Sequence, residues 1–139
     1  MRIQEIIETG NFETWESGKM QELKQVQDNE GLGQKLLFEN ELILVWELSL
    51  YPKERLPFRK LNRNFCWVSM TEGLAISRSG CGNISLIVLE KGDQNFCRFV
   101  GRSAIKDLEN IGEKMLFIFI MEFKPLADKD NPIERIYSK

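Results

Sequence analysis

The sequence predicts an all-β domain, a double-sheet barrel or sandwich, and three observations carry that prediction. From Lys35 onward the chain is a succession of short apolar runs cut by Gly, Pro, Asn and Asp, the texture of strands joined by tight turns. Two of these runs, ELILVWELSL and MLFIFIMEF, keep apolar residues on both faces of a period-two alternation, as strands covered on both sides do. The 139 residues, 42% hydrophobic and 29% charged, suffice for one core and are too few for two ordinary domains.

Residues 1–35 are polar and irregular, and short helices are expected around Ile3 to Thr9 and Lys19 to Gln27. This stretch reads as an extension packed on the barrel or on a partner subunit. Strands are then expected at 35–39, 41–50, 55–58, 65–72, 74–78, 84–90, 95–100, 103–108 and 114–124, so the barrel spans 36–124. SRSGCGN reads as a hairpin turn and KGD at 91–93 as another, since their glycines tolerate the positive φ such turns require. Residues 125–139, ADKDNPIERIYSK with the two residues before it, are expected to form a loose tail.

In the run 41–50, Leu42, Leu44, Trp46, Leu48 and Leu50 share one face, and Ile43, Val45, Glu47 and Ser49 the other. In the run 115–123, Met115, Phe117, Phe119, Met121 and Phe123 alternate with Leu116, Ile118, Ile120 and Glu122. The wholly apolar faces cannot both be left to water. A homodimer is therefore expected, with the N-terminal 35 residues as the rival cover.

Composition excludes several functions. Nineteen basic against 21 acidic residues give a net charge of -2, so no global field favours nucleic acid. With no histidine, Ser-His-Asp triads, imidazole shuttles and His-ligated metal sites are all absent. The N-terminus MRIQEIIETG lacks an apolar targeting core, and no run of about 18 apolar residues could span a bilayer. A cytoplasmic location without membrane attachment is expected. Cys66, Cys81 and Cys97 are odd in number and unpaired in spacing, which fits reduced thiols; Cys81 reads as a plain surface thiol rather than a redox switch.

At RLPFRKLNRNFCWVSMTEG the chain resembles the cupins, small antiparallel barrels of the jelly-roll class. LLFENELILVWELSLYPKERLPF and KDLENIG are similar to small single-domain cupins of the β-alanine degradation type. The family's first motif runs from a Gly through His-x-His and a Glu to a closing Gly; laid on this chain it reads Lys53, Arg59, Leu61, Cys66 and Gly73. The second motif ends in His and, four positions later, Asn, which reads Lys106 and Asn110. The resemblance implies a nitrogen and oxygen cage for a transition metal. Arginine, lysine and leucine offer such an ion no lone pair, so no metal or other cofactor is expected.

Three functional readings follow. In the first, the former metal pocket receives a small carboxylate or phosphate, with Arg59, Arg63 and Lys106 as donors and Trp67 as a stacking wall. The carboxylates of Glu47 and Glu122, each the only charge on its face, are expected to pair with Arg59 or Lys106 if those faces line the barrel. In the second, a metal-independent isomerase or lyase uses Lys106 as base or Schiff-base former. In the third, the barrel is a scaffold for self-association or a protein partner. No catalytic residue set is assigned, and the balance leans away from an enzyme.

Overall fold

A computed structural model describes residues 1–12, 15–26, 31–99 and 103–125. The elements are β1 (Arg2–Ile7), α1 (Ser17–Lys24), β2 (Lys35–Glu39), β3 (Ile43–Leu50), β4 (Arg55–Leu61), β5 (Phe65–Ser69), β6 (Gly73–Arg78), β7 (Ile84–Leu89), β8 (Gln94–Cys97), β9 (Ala104–Asn110) and β10 (Leu116–Phe123). They form two five-stranded sheets, one ordered β1-β7-β6-β9-β4 and the other β2-β3-β10-β5-β8, with antiparallel pairing throughout. The expected strands from 35 onward all appear at or near their positions, and the all-β double-sheet class holds. The expected loose tail, 125–139, lies outside the described residues except for Pro125.

The core fills the space between the sheets. Antiparallel register sets Leu116 opposite Leu50, Ile118 opposite Leu48 and Ile120 opposite Trp46, so these residues turn inward together. Leu56, Ala75 and Leu89 of the first sheet close on them. The two long strands therefore bury different kinds of face. β3 turns in its wholly apolar face, whereas β10 turns in the face that ends in Glu122 and leaves Phe117, Phe119, Met121 and Phe123 outside, half-buried.

Two glycines are fixed by geometry. Gly82, at φ +98°, turns the β6–β7 hairpin. A Cβ on Gly73 would overlap the Leu116 side chain, so the position admits only glycine without a shift in the core. Lys53, which stands where the cupin motif begins with glycine, holds φ 72° and donates its N–H to the Asn110 carbonyl at 2.9 Å.

The extension departs from the expected pair of helices. Residues 3–9 do not form one: Arg2–Ile7 is an edge strand on β7, with Ile3 opposite Ile87. The spacing of Ile3, Ile6 and Ile7 suits a helix locally, but six residues gain too little from one isolated turn to outweigh a ready sheet edge. The second helix does form as α1. It has no side-chain N-cap and no fully buried residue, so tertiary contacts hold it. Glu22 accepts from both terminal nitrogens of Arg55, each at 2.8 Å, and from the Phe58 N–H at 2.9 Å. Trp15 stacks on Phe58 at 5.6 Å between ring centroids. β1 and α1 thus pack on the first sheet, while Gln34 at the end of the extension bonds the Ser49 backbone of β3 in the second.

Asn110 is fully buried and ties three segments together. Its Nδ2 donates to the Leu50 and Lys114 carbonyls, both at 2.8 Å, and its Oδ1 accepts from the Gly112 N–H at 2.9 Å. Asn110→Ala is expected to lower unfolding free energy by about 2–3 kcal/mol in urea titration, because each buried group left unpartnered costs about 1–3 kcal/mol. An unchanged midpoint would show that the residue is not structural.

Candidate functional site

The barrel encloses a cavity of about 320 Å³, near the lower end of the range for small-molecule sites. Three residues of the motif register face it. A register shift between Leu56 and Arg59 re-aims β4 so that Leu56, Arg59 and Leu61 point inward and Phe58 points out toward α1. Lys106 of β9 lies directly opposite Arg59, and Ser79 bridges to Lys106 from the other side. Arg59 is half-buried with its Nε shielded from solvent, while Lys106 is exposed at the same end of the barrel.

Sequence reasoning placed Cys66 at the position of the family's glutamate. The structure turns Cys66 to the outer face of the second sheet, next to Met121, and gives the inward position to its neighbours Phe65 and Trp67. Burial pushes the Cys66 thiol above its usual range. Trp67 lines the cavity. Cys97 also lines it; burial raises its thiol too, against the pull of the Lys106 charge and the Trp67 indole.

Glu47 and Glu122 part company. Glu47 lies on the outer face of β3, opposite Phe119 and Lys35, and does not face the cavity. Glu122 is buried, with 8% of its surface exposed, and is paired as a buried carboxylate must be. Its partner is Arg63 of the β4–β5 loop at 3.0 Å, not Arg59 or Lys106, and the Trp46 indole donates to its other oxygen at 2.9 Å. Arg63 and Glu122 satisfy each other beside the cavity rather than lining it.

Several lining residues escaped the sequence reading. Ser77, Ser79, Asn83, Ser85 and Asn95 bring hydroxyl and amide groups to the wall. Their signal is present in LAISRSGCGNISLIVL, where the inward alternation changes from apolar to Ser on both arms of the hairpin. Ser77 donates to the Asp107 carbonyl at 2.7 Å, and Ser79 shares hydrogen bonds with Asn83 and Cys81. The bond from Ser79 is the main reason the exposed Cys81 thiol sits below its usual range.

Solved structures with the same arrangement decide the fold. A cupin domain from Bordetella pertussis Tohama I superposes with a TM-score of 0.57 at 19% identity, covering 66% of this chain and 91% of that one. The chain has the cupin fold. An RmlC-like cupin family protein with a double-stranded β-helix fold from Methanocaldococcus jannaschii matches this cupin barrel with a TM-score of 0.53 at 12% identity, covering 79% and 93% of the two chains. A conserved double-stranded β-helix protein from Klebsiella pneumoniae gives 0.51 at 19%, covering 73% and 84%. The sequence matches no family model and no curated protein. Identities this low establish fold and leave chemistry to the site itself.

The site does not fit the metal that a cupin barrel commonly holds. Arg59, Leu61 and Lys106 offer no lone pair, and the described residues contain no group of three or more His, Cys, Asp or Glu placed to hold an ion. No helix among the described residues is long and apolar enough to cross a membrane.

Proposed function

We propose that this cupin barrel is a metal-free binding site for a small anion, held in its cavity by Arg59 and Lys106. The observation that carries the reading is the register of β4 and β9, which sets the two cations side by side on the cavity wall. The planar fork of Arg59 suits two oxygens of a carboxylate or phosphate, and the mobile ammonium of Lys106 adds a second charge. Glu47 faces outward, Glu122 is engaged by Arg63, and Asp107 turns its carboxylate to Arg55 and Arg78 on the outer face.

Calorimetric titration should show binding of benzoate and weak or no binding of benzamide, with elemental analysis of protein purified without chelator giving well under one equivalent of metal. Equal affinity for acid and amide, or a stoichiometric metal in the barrel, would overturn the reading. The isomerase or lyase reading through Lys106 gains no further group from the geometry. A cytoplasmic setting, with reduced thiols, accords with this role.

The homodimer belongs to the same proposal. Phe119, Met121 and Phe123 form one apolar outer surface with Val45, Val68 and Phe96, and β1 and α1 of the N-terminal extension sit on the other sheet. A second copy of this chain is the cover proposed for it. Sedimentation at micromolar concentration is expected to give twice the chain mass of 16.2 kDa; a single-chain species would remove the dimer.

A further inference from the structure

The polarity of the cavity is ordered along the barrel, and the order describes a ligand. Across the first sheet, one row of inward residues runs Arg59, Lys106, Ser79 and Asn83. The next row pairs Ser77 with Ser85. Beyond it stand Ala75 and Ile87, with Ile3 across from Ile87, and then Leu89. The facing wall is apolar: Leu48, Phe65, Trp67, Ile118 and Ile120 line it, and Asn95 beside Trp67 is its polar exception.

We infer that the ligand is an amphipathic monocarboxylate whose aromatic or branched apolar body points down the barrel toward Ile87 and Leu89, with its single carboxylate at Arg59 and Lys106. The inference rests on the anion reading above and adds the body. A dianion with separated charges would leave one among leucine and isoleucine side chains, where an unpaired carboxylate is costly, since the Met1 ammonium at that end of the wall is already paired with Asp93 at 2.8 Å. A sugar phosphate would bury hydroxyls against the Phe65, Trp67, Ile118 and Ile120 wall without partners. Size agrees with a compact body. An apolar cavity of about 150 Å³ holds one benzene, so one about twice as large holds a ring together with a short acid side chain.

The test is calorimetric titration of the full chain with acetate, butyrate, hexanoate, phenylacetate, phenylacetamide, malonate and phosphate. Affinity should rise about fourfold per added methylene along the linear acids until the barrel fills, at about 0.8 kcal/mol per buried methylene. Phenylacetate should bind at least tenfold more tightly than acetate, malonate or phosphate. A series flat in chain length, or malonate or phosphate binding as tightly as phenylacetate, overturns the amphipathic ligand and leaves the anion reading standing. Phenylacetamide matching phenylacetate, or no acid binding at millimolar concentration, overturns both. Placement is read separately by iodoacetamide labelling of Cys97 in a Cys66→Ser, Cys81→Ser background. Phenylacetate should slow labelling and acetate should not; binding that leaves Cys97 equally reactive puts the ligand outside the barrel and ends the proposal.

Discussion

Asp107→Asn is expected to destabilise the protein by about 3–5 kcal/mol, the range for removing one partner from a buried charge pair. Asp107 has none of its side chain exposed and lies between two arginines. It accepts from Arg55 Nε at 2.7 Å, from Arg78 Nη1 at 2.8 Å and from the Arg78 backbone N–H at 2.6 Å. Asparagine fills the same volume but brings a neutral amide against two largely buried guanidinium groups. Glu22 bonds Arg55 and Glu109 bonds Arg78 at the flanks, so the charges alternate across the outer face of the first sheet. Chemical denaturation of the variant should show a much lower midpoint, and an unchanged one would mean that solvent supports the pair. The array also fixes a pH dependence. The hydrogen bond from Arg55 holds the Glu22 carboxyl below its usual range, although desolvation opposes the shift. The unfolded chain therefore takes up its proton first. Stability from this contact is present above the usual glutamate range and is lost as the pH falls through the lowered folded value. Melting temperature should fall in that acid window in the wild type, and less steeply in Glu22→Gln.

Arg59→Ala is expected to weaken binding of a small carboxylate by roughly 2–5 kcal/mol, the effect of removing one member of a desolvated charge pair. Arg59 is half-buried and Lys106 exposed, so the two cations are not equivalent. The shielded guanidinium meets the anion where water competes least, whereas the Lys106 charge is screened by salt. Lys106→Met should therefore cost less than Arg59→Ala, and raised ionic strength should narrow the remaining difference between wild type and the lysine variant. Titration of both variants with benzoate reads the contrast. Unchanged affinity in Arg59→Ala would show that another group anchors the ligand.

The strands from 35 onward were legible because each carries its own evidence: β3 and β10 in their alternation, the β6–β7 turn in SGCGN, the β7–β8 turn in KGD. β1 was not, because its six residues become a strand only through β7, which lies far along the chain. The cavity cations were legible for a different reason. Arg59, Leu61 and Lys106 stand at positions that the resemblance to the cupin motif picks out, and all three line the cavity. Cys66 broke from that register because the β4–β5 connection places Phe65 and Trp67, not their intervening neighbour, on the inner face of β5.

Ion-pair partners could not be read along the chain. Arg55 meets Glu22 and Asp107 across separations of 33 and 52 residues, and Arg63 meets Glu122 across 59. The sequence by itself determined that this is a β-sheet domain without histidine chemistry, because side-chain alternation and residue type are local properties. Which face of β10 turns inward, which carboxylate is buried with which arginine, and which residues share the cavity were decided by the tertiary structure. Inter-strand register and sheet packing set those distances, and neither is written in any single segment.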